Sequence, residues 1–235
     1  MSVFHETAPN WQQESNGTSF FLNPDFLRIL ADSLGQAQAL PLPIDLNQTE
    51  VIVAGRSLPL VFVSPNQINA MMPYDLPVNA ISQMLVTRGP AISLPQPVSI
   101  LKTASGIFTR DNSGAGFGIV VAVHKDGSSG LVGANAPVTA GDTLVIYATG
   151  LGDVEPRVLA GVPAGFSPLS TTVTPVTVAV GGVNAPVLFS ALTPGFTGLY
   201  QINATVPSGV QPGSAVPLVI TQGTNSSEPV QIAVN

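Results

Sequence analysis

Cysteine is absent from the 235 residues, so neither a disulfide framework nor thiolate chemistry is open to this chain. Charge is scarce as well: Asp, Glu, Lys and Arg together make up 9%, against roughly 25% in an ordinary soluble domain. Ser, Thr, Asn, Gln, Gly and Pro must therefore cover much of the surface. The net charge is −6, and the seven basic residues stand singly, with no stripe that could displace counterions from a phosphate backbone. Nucleic acid is thereby excluded as a partner. Aromatic residues amount to 6%, with Trp11 the single tryptophan. No apolar run approaches the ~20 residues a membrane-spanning helix needs. The first residues, Met1-Ser2-Val3-Phe4-His5-Glu6, do not form a secretory signal, and Met1 is read as standing before a mature, exported chain.

Glycine and proline, at 23 and 22, are plentiful without any collagen period, which points to many tight turns. The strongest pattern is a repeat. Gln67-Ile68-Asn69-Ala70-Met71-Met72-Pro73 returns as Gln201-Ile202-Asn203-Ala204-Thr205-Val206-Pro207. Upstream, Val51, Val53, Gly55, Pro59 and Phe62 return as Val178, Val180, Gly182, Pro186 and Phe189. The offset is 127 residues there and 134 at the Q-I-N run, so the second copy carries seven extra residues, including the loop Thr193-Pro194-Gly195-Phe196-Thr197-Gly198. Downstream, Leu85-Val86-Thr87-Arg88-Gly89 answers Val219-Ile220-Thr221-Gln222-Gly223, and Pro97-Val98-Ser99-Ile100 answers Pro229-Val230-Gln231-Ile232. A repeat of this kind indicates one structural unit built twice.

Each copy consists of short β-branched runs separated by Gly, Pro or Asn, the pattern of an all-β sandwich or barrel. Strands are expected near 50–54, 58–63, 66–72, 82–87 and 97–102. The organisation read from this is a tail over 1–19, docked through Phe4 and Trp11 or added as an edge strand, one unit over 20–103 and a second over 104–235. The second unit opens with an extra hairpin, since Ile119-Val120-Val121-Ala122-Val123 precedes His124-Lys125-Asp126-Gly127, whose Asp-Gly is a hairpin signal. Residues 24–35 carry helix signals, with Pro24 at a first-turn position and Gly35 as a stop. They align, however, with Asp142 to Gly152, whose β-branched residues read as a strand, and the duplicate favours strand for both. The glycine-rich passage over 104–118 reads as a flexible connection.

Within the second Q-I-N run, alternation places Tyr200, Ile202, Ala204 and Val206 on one face and Gln201, Asn203 and Thr205 on the other. Asparagine is a poor strand residue, so its reuse at Asn69 and Asn203 needs a reason. The expected one is structural: Gln67, Asn69, Gln201 and Asn203, each run closed by Pro73 or Pro207, satisfy backbone groups of the adjoining loops. The sharper reading is a pair of amides facing a ligand.

Chemistry-bearing patterns are few. His124 is expected as a solvated turn residue. No G-x-S-x-G elbow occurs, and no serine has a recognisable histidine and acid arrangement. Gly114-Ala115-Gly116-Phe117-Gly118 precedes a strand, whereas a dinucleotide site needs its glycines to open a helix. Asp153 with Glu155, or Asp111 with Asn112, offer too few oxygens for calcium, which takes six to eight. The same Asp153 and Glu155 would be the acid pair of a hydrolase reading. An intramolecular Lys–Asn crosslink would need a buried lysine, and Lys102, at a strand end, is its candidate. Asn16, Asn47, Asn203 and Asn225 stand in glycosylation sequons of little weight in so Asn- and Thr-rich a chain.

The runs Leu40-Pro41-Leu42-Pro43, Pro59-Leu60-Val61-Phe62-Val63-Ser64-Pro65-Asn66-Gln67-Ile68-Asn69, Ser105-Gly106-Ile107-Phe108-Thr109, Tyr147-Ala148-Thr149-Gly150-Leu151-Gly152 and Gly198-Leu199-Tyr200-Gln201-Ile202-Asn203 carry a resemblance. Over about residues 24–235 the chain resembles the Solibacter-type uncharacterised C-terminal domain family of acidobacterial secreted proteins. The resemblance implies export, a place at the C-terminal end of larger extracellular proteins, and two tandem immunoglobulin-like β-sandwich domains. It transfers no catalytic residues.

The expectation is a non-catalytic extracellular structural or adhesive module: a cell-surface spacer, an anchor, or a unit that self-associates through strand edges. The alternative is a glycan-binding module of a secreted protein that uses Tyr74, Phe166, Phe196 and Tyr200 beside Gln201 or Asn203 to hold a polysaccharide. No cofactor and no metal are expected.

Overall fold

The computed structural model describes residues 2–5, 19–21, 35–65 and 67–235, the first two stretches through their strand pairing. Among these residues there is no helix. The first half holds β1 (Ser2–His5), β2 (Ser19–Phe21), β3 (Gly35–Gln36), β4 (Thr49–Val53), β5 (Arg56–Ser57), β6 (Leu60–Ser64), β7 (Gln67–Ala70), β8 (Ala80–Arg88), β9 (Ala91–Ile92) and β10 (Gln96–Ile100). The second holds β11 (Gly106–Ile107), β12 (Val120–Val123), β13 (Ser129–Leu131), β14 (Thr143–Thr149), β15 (Val154–Glu155), β16 (Thr171–Thr172), β17 (Thr177–Val180), β18 (Val183–Ala185), β19 (Val187–Leu192), β20 (Tyr200–Thr205), β21 (Gly213–Gln222), β22 (Asn225–Ser226) and β23 (Val230–Val234).

Alternation turns these strands into layers. On β4, Val51 and Val53 point inward with Met84 and Val86 of β8 and Val98 and Ile100 of β10, and they meet Leu60, Val63, Ile68 and Ala70 of β6 and β7. This core lies between a sheet ordered β2-β1-β7-β6-β3 and one ordered β10-β8-β4-β5, with β9 paired to β8. A second core joins Val120, Leu144, Ile146, Ile202 and Ala204 to Val178, Val180, Leu218, Ile220, Val230 and Ile232. Its sheets are β13-β12-β14-β20-β19-β16-β15, with β11 on β14, and β18-β17-β21-β22, with β23 on β21. Each fully buried Leu or Ile contributes roughly 1.5–3 kcal/mol, so these inward rows dominate the stability of both layers. The architecture is all-β and sandwich-like.

The two halves agree in detail. β6 pairs with β7 through a bulge between Leu60 and Phe62, and β19 pairs with β20 through a bulge between Val187 and Phe189. Ala54 and Gly55 turn the β4–β5 hairpin at φ of 50° and 76°, and Gly181 and Gly182 turn β17–β18 at 57° and 79°. The Ser93 hydroxyl accepts the Val86 N–H at 3.0 Å, while Ser93 N–H donates to Val86 O at 2.9 Å; Ser227 and Ile220 repeat both bonds at 3.1 and 2.8 Å.

Several expectations are corrected. The tail strand β1 is not an edge: it lies between β2 and β7, the antiparallel neighbour of β7 as β14 is of β20. The expected strand over 24–34 and Trp11 lie outside the described residues. The passage over 104–118 is no flexible connection. Ala104 N–H donates to Gly150 O at 2.9 Å, β11 pairs with β14, and Arg110 N–H donates to Phe117 O at 3.0 Å. The extra hairpin is present as β12 and β13, closed by His124 N–H to Ser128 O at 2.8 Å with Gly127 at φ 85°.

Candidate functional site

The Q-I-N runs place the same side chains on the same faces. Ile68 and Ile202 are buried, while Gln67, Asn69, Gln201 and Asn203 are half-buried on the outer faces. Among the described residues the amides bond each other rather than the adjoining loops. Gln67 Nε2 donates to Asn69 Oδ1 at 2.7 Å and Gln201 Nε2 to Asn203 Oδ1 at 2.9 Å, so each pair is bridged along its own strand. Pro73 and Pro207, both half-buried, follow the ends of β7 and β20.

Tyr200 begins β20 on its inward face and is 3% exposed. As a phenol it has one proton, and its hydroxyl gives that proton to the Gly152 carbonyl, which can only accept. Tyr74, from the first half, lies 2.9 Å from the same oxygen and therefore donates to it. Burial, then the charge of Asp153, raises the Tyr74 pKa above its ordinary value. Burial, with Tyr74 and Asp153 close by, holds Tyr200 well above its own. Both phenols stay protonated at neutral pH, and the chain Tyr74–Tyr200–Gly152 stays intact.

That chain belongs to a seam between the two halves. Gly161 N–H donates to Met71 Sδ at 3.0 Å, and Leu42 N–H donates to Gly161 O at 2.8 Å. Gly161 has φ +81°, and a Cβ there would stand 2.9 Å from the Pro59 Cβ, so the close approach requires glycine. The connecting segment is pinned too. Asn225 Nδ2 donates to Thr103 O at 3.0 Å and Ser105 Oγ to Gln222 Oε1 at 3.0 Å, while Gln222 Nε2 reaches Leu151 O and Thr174 O, both at 3.1 Å. The seam carries a partly open recess of about 110 Å³ bordered by Met72, Tyr74, Leu101 and Asp153, enough for a few waters.

The four aromatics expected to hold a glycan thus divide. Tyr74 and Tyr200 are structural members of the seam, as the alternation of β20 already implied for Tyr200. Phe166 and Phe196 are 78% and 55% exposed and lie on neighbouring loops, since a Cβ on Gly195 would meet the Phe166 ring at 3.4 Å. His124 is not a freely solvated turn residue: its Nδ1 lies 2.8 Å from Oδ2 of the buried Asp142, which also accepts from the Thr139 N–H at 2.8 Å and its hydroxyl at 3.1 Å. Asp153 pairs with Arg157 at 3.2 Å, Glu155 is exposed, and Asp111 accepts from Ser113. Among the described residues no group of three or more His, Asp or Glu could hold a metal ion. Lys102 and Lys125 are both exposed, which removes the buried lysine an amide crosslink requires.

Comparison with protein-family models, curated proteins and solved structures found no match among any of the three. Among the described residues no helix is long and apolar enough to cross a membrane.

Proposed function

We propose that the chain is a non-catalytic structural module of an extracellular protein: two immunoglobulin-like sandwiches, related by duplication and meeting near residue 103, that act as a stiff spacer or anchor. The duplication is supported by the shared bulge, the shared hairpin turn and the shared serine bridge. Export and a C-terminal position in a larger protein follow the resemblance to the Solibacter-type family.

The observation that carries the spacer reading is the seam. A flexible tether would leave the connection solvated, yet Thr103 and Ser105 are buried and bonded, and Tyr74 reaches across to Tyr200. Edge-to-edge self-association has less support. The outermost strands β2, β3, β5, β9, β11, β13, β15, β18 and β22 have two or three residues each, the longer β10 contains Pro97, which has no N–H to offer, and the longer β23 is covered by backbone bonds from Gly116, Gly118 and Val138.

The test uses the lack of native cysteine. Spin labels at Ala91→Cys and Ser129→Cys, both exposed and one in each half, report the distance between sandwiches. A single narrow distance distribution supports the spacer. A broad or two-peaked distribution rejects it. Sedimentation across a range of concentrations separates a monomeric spacer from an assembling one.

A further inference from the structure

The seven-residue difference between the copies has a structural product. Where β6 and β7 are joined by residues 65–66, β19 and β20 are joined by residues 193–199. This longer loop forms one wall of a cavity of about 470 Å³, within the range of small-ligand sites. Phe196 and Leu199 of the loop face Phe108, Ile119 and Tyr147 of the second half, and Val61 of the first half joins them in the lining. Val61 is the extra residue of the β6 bulge, so the first half contributes the one side chain that its bulge turns out of register.

We propose that this cavity binds a neutral saccharide, stacked by the apolar face of its ring on the aromatic walls. Three observations carry this. The lining includes three aromatic rings, Phe108, Tyr147 and Phe196, the surface that the C–H face of a sugar ring covers. Among the described residues, every side-chain polar group on the wall is a hydroxyl, from Tyr147, Thr193 and Thr197, able both to donate and to accept as sugar hydroxyls do. The Thr193 hydroxyl oxygen has no hydrogen-bond partner and almost no accessible surface, which costs stability, and a turn of the side chain about χ1 would bring it to a ligand on the wall.

The lining excludes other ligand classes by the same reasoning. Among the described residues no charged side chain borders the cavity, so an anion or cation would lose its hydration there without a counter-charge from them. A plain hydrocarbon chain would fill the space but leave Thr193 unpartnered. The binding site is independent of the spacer reading, since a stiff spacer need bind nothing.

The full chain would be tested by affinity electrophoresis in gels containing a soluble cellulose derivative, a xylan, a mannan or a laminarin-type glucan, with polygalacturonate as the anionic comparison. Retardation by at least one neutral polymer is expected, with Kd raised at least tenfold by Phe196→Ala. Thr193→Val is close to isosteric and raises Kd about fivefold through the lost hydrogen bond, with thermal unfolding measured alongside. Phe166→Ala, outside the lining, leaves binding unchanged. Failure of all four neutral polymers to bind overturns the proposal. So does preference for polygalacturonate, or binding that survives both cavity substitutions or is abolished by Phe166→Ala.

Discussion

Replacing Tyr200 by Phe removes one oxygen and breaks two hydrogen bonds, the one given to Gly152 O and the one received from Tyr74. A net bond contributes about 0.5–1.5 kcal/mol, and a buried acceptor left alone costs about 1–3 kcal/mol. With Tyr200 only 3% exposed, water does not readily replace the partner, and the expected cost is about 2–3 kcal/mol. Tyr74→Phe breaks only the bond between the two phenols and leaves the Tyr200–Gly152 bond standing, so about 1 kcal/mol is expected. The double variant has no Tyr–Tyr bond to lose twice, so the two costs should fall short of additivity by about 1 kcal/mol. Urea denaturation of the four proteins, followed by tyrosine fluorescence and far-UV circular dichroism, measures the cycle. Equal costs for the two single variants, or strict additivity, would refute the seam geometry and the proton assignment within it.

The same phenols predict an alkaline limit. Their folded pKa values are raised, so their contribution is fully present below the unfolded tyrosine value of about 10 and is lost as pH rises through the folded values; the denaturation midpoint should fall above about pH 10 in wild type and less in Tyr200→Phe. Asp142 sets an acid limit: burial pushes its pKa up, but the Thr139 N–H, His124 and the Thr139 hydroxyl together outweigh that and hold it low. Its contribution is therefore present above the unfolded value of about 3.9 and lost as pH falls through the lowered folded value, so Asp142→Asn should flatten the acid limb in a stability–pH series. Ser93→Ala and Ser227→Ala each remove the acceptor for a buried strand N–H, of Val86 and Ile220, and each should cost about 1–3 kcal/mol by denaturation. Costs that differ by more than about twofold would argue that the two bridges are not equivalent.

Strand positions were legible because alternation and β-branching are local: the expected strands at 50–54, 82–87 and 97–102 correspond to β4, β8 and β10. The bulges were not legible, because a bulge depends on how one strand registers against another, and Val61 and Leu188 carry no mark of it. The amide pairs were misassigned for a related reason. Gln and Asn two residues apart share a face of a strand, and proximity along that face gave the Gln67–Asn69 bond without any loop. Of the candidate site, the loop over 193–198 was visible as an insertion, and Phe196 as an exposed aromatic. Its opposing wall comes from Phe108, Ile119 and Tyr147, distant in sequence and unremarkable there, so the cavity could only emerge from packing. Glycine richness over 104–118 misled because the glycines there serve close approach; a Cβ on Gly118 would stand 3.0 Å from Val230.

The account rests on two sandwiches moving as a single body, and residual dipolar couplings of backbone amides test that directly. Couplings from residues 49–100 and from residues 106–234, each fitted to its own half, should yield one common alignment tensor in magnitude and orientation. Two tensors of different magnitude would mean that the halves reorient independently, and the spacer reading would fall with them.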